Sequence, residues 1–253
     1  MQSPIEYTNA ASIARITLNR PEKRNALSPD LIAGLSAALA DSAQDANVRV
    51  VLLTGAGQDF CSGADLAAFD RDADAGVLDH LETARALAEV FLQMRRHPRP
   101  IVAAVRGRAL AGGCGLATAC DLIVAAESAK FGYPEVNIGF VPAMVMAILR
   151  RDMTEKRAFE LIMTGEIIDA HVACAAGLIN RVFPDSEFDG RVNEYAASLA
   201  AKSASAISLS KHLLYHMDSM TFEAAIEAGV HGNAIARMTD DARRGIEKFV
   251  KKR

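Results

Sequence analysis

The chain has 253 residues, 51% of them apolar and 23% charged, and 28 Lys and Arg against 31 Asp and Glu leave a formal net charge of −3. Such a composition excludes a disordered chain, and without a surplus of positive charge a nucleic-acid backbone is excluded as the primary ligand. The length suits one large domain or a domain with an appendage; four cysteines without a CxxC pair (Cys61, Cys114, Cys120, Cys174), an opening MQSPIEYTNA unlike a secretory leader, and no apolar run near the ~18 residues of a membrane span predict a cytoplasmic, soluble protein with reduced thiols.

In chain order, Ile13 to Leu18 alternates well enough to predict a strand. Ser28-Pro29-Asp30 offers a cap, a proline at the first helical position and an acid in the first turn, so LIAGLSAALADSA after it reads as a helix. Val48 to Thr54 is continuously apolar and β-branched, the pattern of a central strand buried on both faces. A helix follows over about Leu81 to Arg96, with Leu87, Val90, Phe91 and Met94 on one stripe, and Pro98 and Pro100 stop it. Ile101 to Val105 reads as a second buried strand, RGRALAGG as a loop, the next residues to about Cys120 as a short Ala-rich helix, and Leu122 to Ala125 as a strand. Alternating strand and helix predicts a mixed α/β layer architecture. Beyond Thr154 the pattern turns helical: Thr154 and Asp169 cap helices that Gly165 and Gly177 end, and from Ser203 no strand is predicted. The expected division is a core over residues 1–200 and a helical region over 201–253.

Three glycine-bearing stretches follow predicted strands: Gly55-Ala56-Gly57, Gly63-Ala64-Asp65 and Gly112-Gly113-Cys114-Gly115. A dinucleotide fingerprint fails on spacing, because Phe60 stands where its third glycine belongs, and there is no GK[ST] for a phosphate loop. Gly112-Gly113 lies where a loop becomes a helix, so its amides lack intrahelical partners and can hold an anion, while the missing Cβ admits a ligand oxygen. Ala64 offers another amide in a tight turn. Glycines that serve only turns or close packing explain the same residues. If the two turns face one another they form an oxyanion hole, in which each donor contributes about 3 to 4 kcal/mol to a transition state.

The stretches TGAGQDFCSGADL (Thr54 to Leu66) and GRALAGGCGLATACDLIVAAESAKFGYPEVNIGFVP (Gly107 to Pro142), with ITLNRPEKRNAL (Ile16 to Leu27) and TGEIIDAHVACAAGLINRVF (Thr164 to Phe183), resemble the crotonase, or enoyl-CoA hydratase/isomerase, superfamily. The resemblance implies a ββα spiral core with a C-terminal helical trimerisation region, assembled as a homotrimer or homohexamer. It implies an acyl-CoA thioester as substrate, its carbonyl oxygen held by the backbone amides of Ala64 and Gly112, with Gly113 beside them. Ala64, Asp65, Leu66 and Ala67 would line the coenzyme A, Arg24 and Ala26 would lie near its nucleotide, and Phe249 and Lys252 resemble tail residues that reach a neighbouring subunit's ligand. No metal or redox cofactor is implied, coenzyme A being part of the substrate.

Hydratases of the family usually carry two glutamates, and here only the second is present, as Glu135; the first position is Gly115. The paired mechanism divides the acid and base roles on one water between both carboxylates. The broader pattern around AGGCGLA and GYPEVNIGFVPAMV resembles hydratases, so an enoyl-CoA hydratase working with one glutamate is the expectation. A Δ3,Δ2-enoyl-CoA isomerase using Glu135 as its sole proton shuttle is the alternative that the lone acid favours on mechanism. A decarboxylase and a non-catalytic CoA-binding scaffold remain further alternatives. Dienoyl isomerases are disfavoured by Ala143 and dehalogenases by the absence of Trp.

Tyr133, two residues before Glu135, offers a hydroxyl to substrate or water, or packs. Asp65 touches coenzyme A or caps the helix after it. Cys114 lacks a base partner and reads as a small buried apolar residue rather than a nucleophile. His212 and His216 stand at i, i+4 without the glutamate of a zinc motif, so no metal site is expected. The run Arg95-Arg96-His97-Pro98-Arg99 reads as a helix C-terminus stabilised by cations rather than a phosphate site.

Overall fold

The computed structural model describes residues 3–65 and 75–251. Its main sheet runs in the order β1 (Ile5–Ala10), β2 (Ile13–Leu18), β3 (Val50–Gly55), β4 (Ile101–Val105), β6 (Leu122–Ala126), β9 (Arg181–Phe183). Only β1 and β2 are antiparallel; the remaining neighbours are parallel. A second sheet joins β5 (Arg108–Leu110), β7 (Lys130–Gly132) and β8 (Ile167–Asp169), parallel then antiparallel.

Alternation along the parallel strands separates two cores. Val50, Leu52, Val102, Ala104, Val124 and Ala126 face Phe188, Val192 and Ala196 of α7 (Phe188–Ala200). Their neighbours Val51, Leu53, Ile101, Ala103 and Val105 face the opposite side. That side holds α1 (Pro29–Gln44), α2 (Val77–Arg96) and α3 (Gly112–Thr118). Strands buried on both faces must be apolar at successive positions, which is why β3 and β4 read as unbroken runs.

The α1 helix starts as expected, with Ser28 Oγ accepting from Leu31 N–H at 3.3 Å and Pro29 at the first position. Thr154 sits at the N-cap of α5 (Glu155–Thr164), but its side chain makes no capping bond. Gly165 ends that helix in the left-handed conformation, at φ 62°. Asp169 caps α6 (Ala170–Ala175) through Val172 N–H. A short helix, α4 (Met146–Asp152), precedes these. The structure departs from the sequence reading in several places, among them the unpredicted short elements β7, β8 and α4. The RGRALAGG loop contains β5, α2 begins at Val77 rather than near Leu81, and β1, β9 and α7 are present where no element was predicted. The β1 sequence IEYTNA buries Ile5 alone, so it carries little hydrophobic signal.

Beyond α7 come α8 (Ala204–His216), α9 (Phe222–Met238) and α10 (Asp240–Val250), none with a buried residue. Lys211 and Tyr215 moor α8 to the core. Lys211 Nζ lies 2.7 Å from Asp121 Oδ2 and also donates to the carbonyls of Met94 and Arg99, and Tyr215 donates to Asp121 Oδ1 at 2.6 Å. Arg95 stacks on the Tyr215 ring at 4.0 Å and pairs with Asp218, which also accepts from Arg151. Among the described residues no helix is long and apolar enough to cross a membrane.

Candidate active site

The two glycine-bearing turns meet. Cys61 N–H donates to Arg108 O and Leu110 N–H to Cys61 O, both at 3.0 Å, so residues 61–65 lie alongside 108–113 like short paired strands. Gly63 has φ 93°, and a Cβ there would fall 2.8 Å from Ala111 Cβ and 3.2 Å from the Gly112 nitrogen. At Gly113 a Cβ would lie 2.3 Å from Cys61 O. Glycine is therefore required for contact between the turns. Ala111 is held at φ 52°, ψ −131°, its N–H on Gly132 O at 2.9 Å, and Gly112 opens α3 immediately after it. The amides of Ala64 and Gly112, one from each turn, have no hydrogen-bond acceptor among the described residues. Adjacent unsatisfied donors of this kind accept an oxyanion without rearranging.

A third segment fastens this pair. Arg24 and Asn25 both take left-handed conformations, and the buried Asn25 amide donates to Ala56 O at 2.9 Å and Asp59 O at 2.8 Å while its oxygen accepts from Arg20 N–H. Arg20 donates to Ala26 O at 2.8 Å and pairs with Asp65 at 3.1 Å. Leu27 N–H completes the join on Gly63 O at 2.8 Å. Arg20 and Asn25 carry no role in the sequence reading; the signal for Asn25 is that Asn tolerates φ > 0 better than most side chains. Arg24 is exposed and Ala26 is buried.

Glu135 stands in the 3-10 turn Pro134–Ile138, directly after β7, whose Gly132 receives the Ala111 amide. The residue is only 8% exposed, and its Oε2, with Arg99 Nε, makes up the buried side-chain polar atoms that find no partner among the described residues. Burial raises its pKa above the ordinary carboxylate value, opposed by its own backbone amide. The β7 strand that precedes Glu135 is tied to the start of α3 through the Ala111 N–H on Gly132 O.

Residues 8–253 match the family pattern described as enoyl-CoA hydratase/isomerase. The chain belongs to that family. A Thermus thermophilus protein with the provisional name enoyl-CoA hydratase is 41% identical over 241 residues, 95% of each chain. The human mitochondrial enoyl-CoA hydratase domain-containing protein 3 is 30% identical over 250 residues, 99% of this chain and 82% of that one. A crystal structure of an enoyl-CoA hydratase from Mycobacterium smegmatis superposes with TM-score 0.95 at 31% identity, covering 100% of this chain and 98% of the other. The fold is thus that of the crotonase superfamily, and the family points to acyl-CoA processing.

At the position where hydratases of this family usually carry their first glutamate, Gly115 is buried under apolar side chains. A Cβ there would lie 2.0 Å from Val145 Cγ1, 3.1 Å from Val145 Cβ and 3.7 Å from Phe91 Cζ. Tyr133 is fully buried, with its hydroxyl 3.2 Å from Thr118 Oγ1, which places it in the packing of α3 rather than at a substrate surface. Burial pushes the Cys114 thiol up to about 12, so it is no thiolate nucleophile near neutrality. Asp65 is committed to Arg20; the helix it was expected to cap, like Leu66, Ala67 and Lys252, lies outside the described residues. Phe249 is 65% exposed on α10. His212 and His216 stack at 5.7 Å, and no group of His, Cys, Asp and Glu suited to a metal occurs among the described residues. The cationic run is structural where it is resolved into contacts: Arg95 serves α8, and buried His97 bonds Ser42 Oγ and the Arg99 amide.

Proposed function

We propose that the chain is an acyl-CoA enzyme that holds a thioester oxygen with the Ala64 and Gly112 amides and moves a proton on the acyl chain with Glu135. The observation that carries this reading is the buried, unpartnered Glu135 Oε2, three residues after the Gly132 carbonyl that accepts the Ala111 amide next to the unsatisfied Gly112 amide. A desolvated carboxyl without a donor, at the start of a turn after β7, is a candidate proton-transfer group. Such a base draws a proton from the carbon next to the thioester carbonyl, and the two amides take up the charge that develops on oxygen.

Within the family's activities, double-bond migration as a Δ3,Δ2-enoyl-CoA isomerase suits a single acid best. Glu135 removes a proton from C2, the C–H electron pair forms the dienolate, and the dienolate regains a proton at C4 from the same carboxyl group as the 2-enoyl thioester forms. Neither a metal nor a redox cofactor enters these steps. Hydration of a 2-enoyl-CoA is the second reading, favoured by the name of the 41%-identical relative. We place the nucleotide of coenzyme A along Arg24 and Ala26, following the resemblance in the NRPEKRNAL segment.

The test is exchange of the C2 hydrogens of a saturated acyl-CoA with deuterated water. The expected result is deuterium incorporation that Glu135→Gln reduces by about 10²-fold or more, a typical contribution of a positioned acid or base, with coenzyme A thioester binding retained. Undiminished exchange in that variant would remove Glu135 from the chemistry.

A further inference from the structure

We propose, resting on the proton-transfer reading above, that Arg20 is a positioning residue for the reaction: its guanidinium heads a chain of two hydrogen-bonded peptide groups that aims and polarises the Ala64 amide.

Each link is present in the structure. Arg20 Nη1 donates to Ala26 O at 2.8 Å. The Leu27 N–H, which belongs to the same peptide group as Ala26 O, donates to Gly63 O at 2.8 Å. Gly63 O in turn shares a peptide group with the Ala64 N–H, and there the chain ends, on a donor with no acceptor among the described residues. Both peptide groups are trans. In a planar trans peptide the C=O and the N–H point in opposite directions. Holding Gly63 O against Leu27 therefore turns the Ala64 N–H to the face opposite Leu27.

The guanidinium gives the chain its electrical direction. A cation donating to Ala26 O draws electron density from the Leu27 N–H and makes it a stronger donor to Gly63 O. The same pull passes to the Ala64 N–H, because hydrogen bonds in such chains polarise one another. A guanidinium stays charged at any working pH, so the pull is constant. Arg20 is itself fixed. Its Nη2 pairs with Asp65 Oδ2 at 3.1 Å, the two side chains being 21% and 12% exposed. Its N–H donates to Asn25 Oδ1 and its carbonyl accepts from the Asn25 N–H, both at 2.9 Å. One guanidinium thus touches the peptide group that feeds Gly63 O and the side chain directly after Ala64. The Gly112 amide is set differently: the oxygen of its peptide group, Ala111 O, accepts from Gly115 N–H at 3.0 Å at the start of α3.

The experiment uses the native protein, Arg20→Gln, which removes the charge, and Arg20→Lys, which keeps a charged donor. It measures kcat and KM for C2 exchange of a saturated acyl-CoA in deuterated water, and the infrared stretch of the isotope-labelled thioester carbonyl when bound. Arg20→Gln is expected to lower kcat at least about fivefold with KM within about threefold of native, a smaller loss than the roughly 10²-fold or more of deleting an oxyanion donor outright. The bound carbonyl stretch should rise in the same variant as its hydrogen bond weakens, and Arg20→Lys should fall between native and Arg20→Gln on both readouts. A smaller loss of kcat, a loss carried by KM instead, an unmoved stretch, or an Arg20→Lys no better than Arg20→Gln would overturn the proposal while leaving native exchange intact. Should Arg20→Gln fail to fold, the comparison of native with Arg20→Lys decides, and an unmoved stretch there overturns it. Absence of exchange in the native protein, or a native bound stretch equal to that of the free thioester in water, would instead remove the proton-transfer reading, and the role of Arg20 with it.

Discussion

Glu135 combines burial with an unpaired oxygen, and both properties have a pH signature. Its pKa in the folded protein lies above the ordinary carboxylate value because burial disfavours the charged form. The ionised acid is thus a destabilising element of the fold, absent below the ordinary carboxylate pKa and fully present above the raised one. Stability falls as pH rises through that window. Glu135→Gln should therefore unfold at a higher temperature than native at neutral pH and at the same temperature at strongly acid pH, and native turnover should rise with pH through an ionisation above the usual ~4.3 of a glutamate. Calorimetry and a pH–rate profile check the pair; a variant less stable than native at neutral pH would show that the carboxylate is structurally satisfied after all. At this scale the sequence was informative where a residue type is dictated by chemistry, as at Glu135, Gly63 and Gly112. It could not place Tyr133, whose hydroxyl bonds Thr118 fifteen residues away, nor reveal that Val145 fills the space beside Gly115.

One buried ion pair, Lys211–Asp121, stands at the centre of the contacts between core and C-terminal helices. Lys211 and Asp121 have side chains 8% and 12% exposed; burial lowers the pKa of Lys211 while Asp121 supports its charge. Asp121 also accepts from Ile101 N–H, the first residue of β4, so the same carboxylate anchors a strand and a helix. Removing one partner strands the other charge, and Lys211→Met should cost about 3 to 5 kcal/mol in urea unfolding, with part recovered in the Lys211→Met/Asp121→Asn double variant. A loss below about 1 kcal/mol would mean that water already screens the pair. Elements with strong internal patterns, namely α1, α2, β3, β4 and the C-terminal helices, were legible from periodicity and caps. The short strands β5, β7 and β9 were not, because three residues are too few to show a period, and they exist only through pairing with strands distant in sequence.

For the whole molecule, the C-terminal helices expose a run of large apolar side chains. Phe222, Ile226 and Val230 recur at i, i+4 and i+8 along α9, each more than half exposed, and Ile246 and Val250 do the same on α10. An isolated chain does not keep so much contiguous hydrocarbon in water without a partner. The family resemblance suggests self-association, and we predict a particle of three chains, or a multiple of three, by sedimentation equilibrium. Ile226→Asp should shift it toward single chains; a native monomer at micromolar concentration would contradict the prediction.

The bonds that Arg20 and Asn25 make from one segment to the next have a mechanical corollary. The loop that we propose runs along the nucleotide and the turn bearing the Ala64 amide are riveted together through Ala26, Asp65 and the carbonyls of Ala56 and Asp59, so neither shifts without dragging the other. Grasping the distant handle of a long thioester is then the same event as aligning the amide at its reactive end. A substrate shorn of that handle is expected to forfeit turnover as well as affinity.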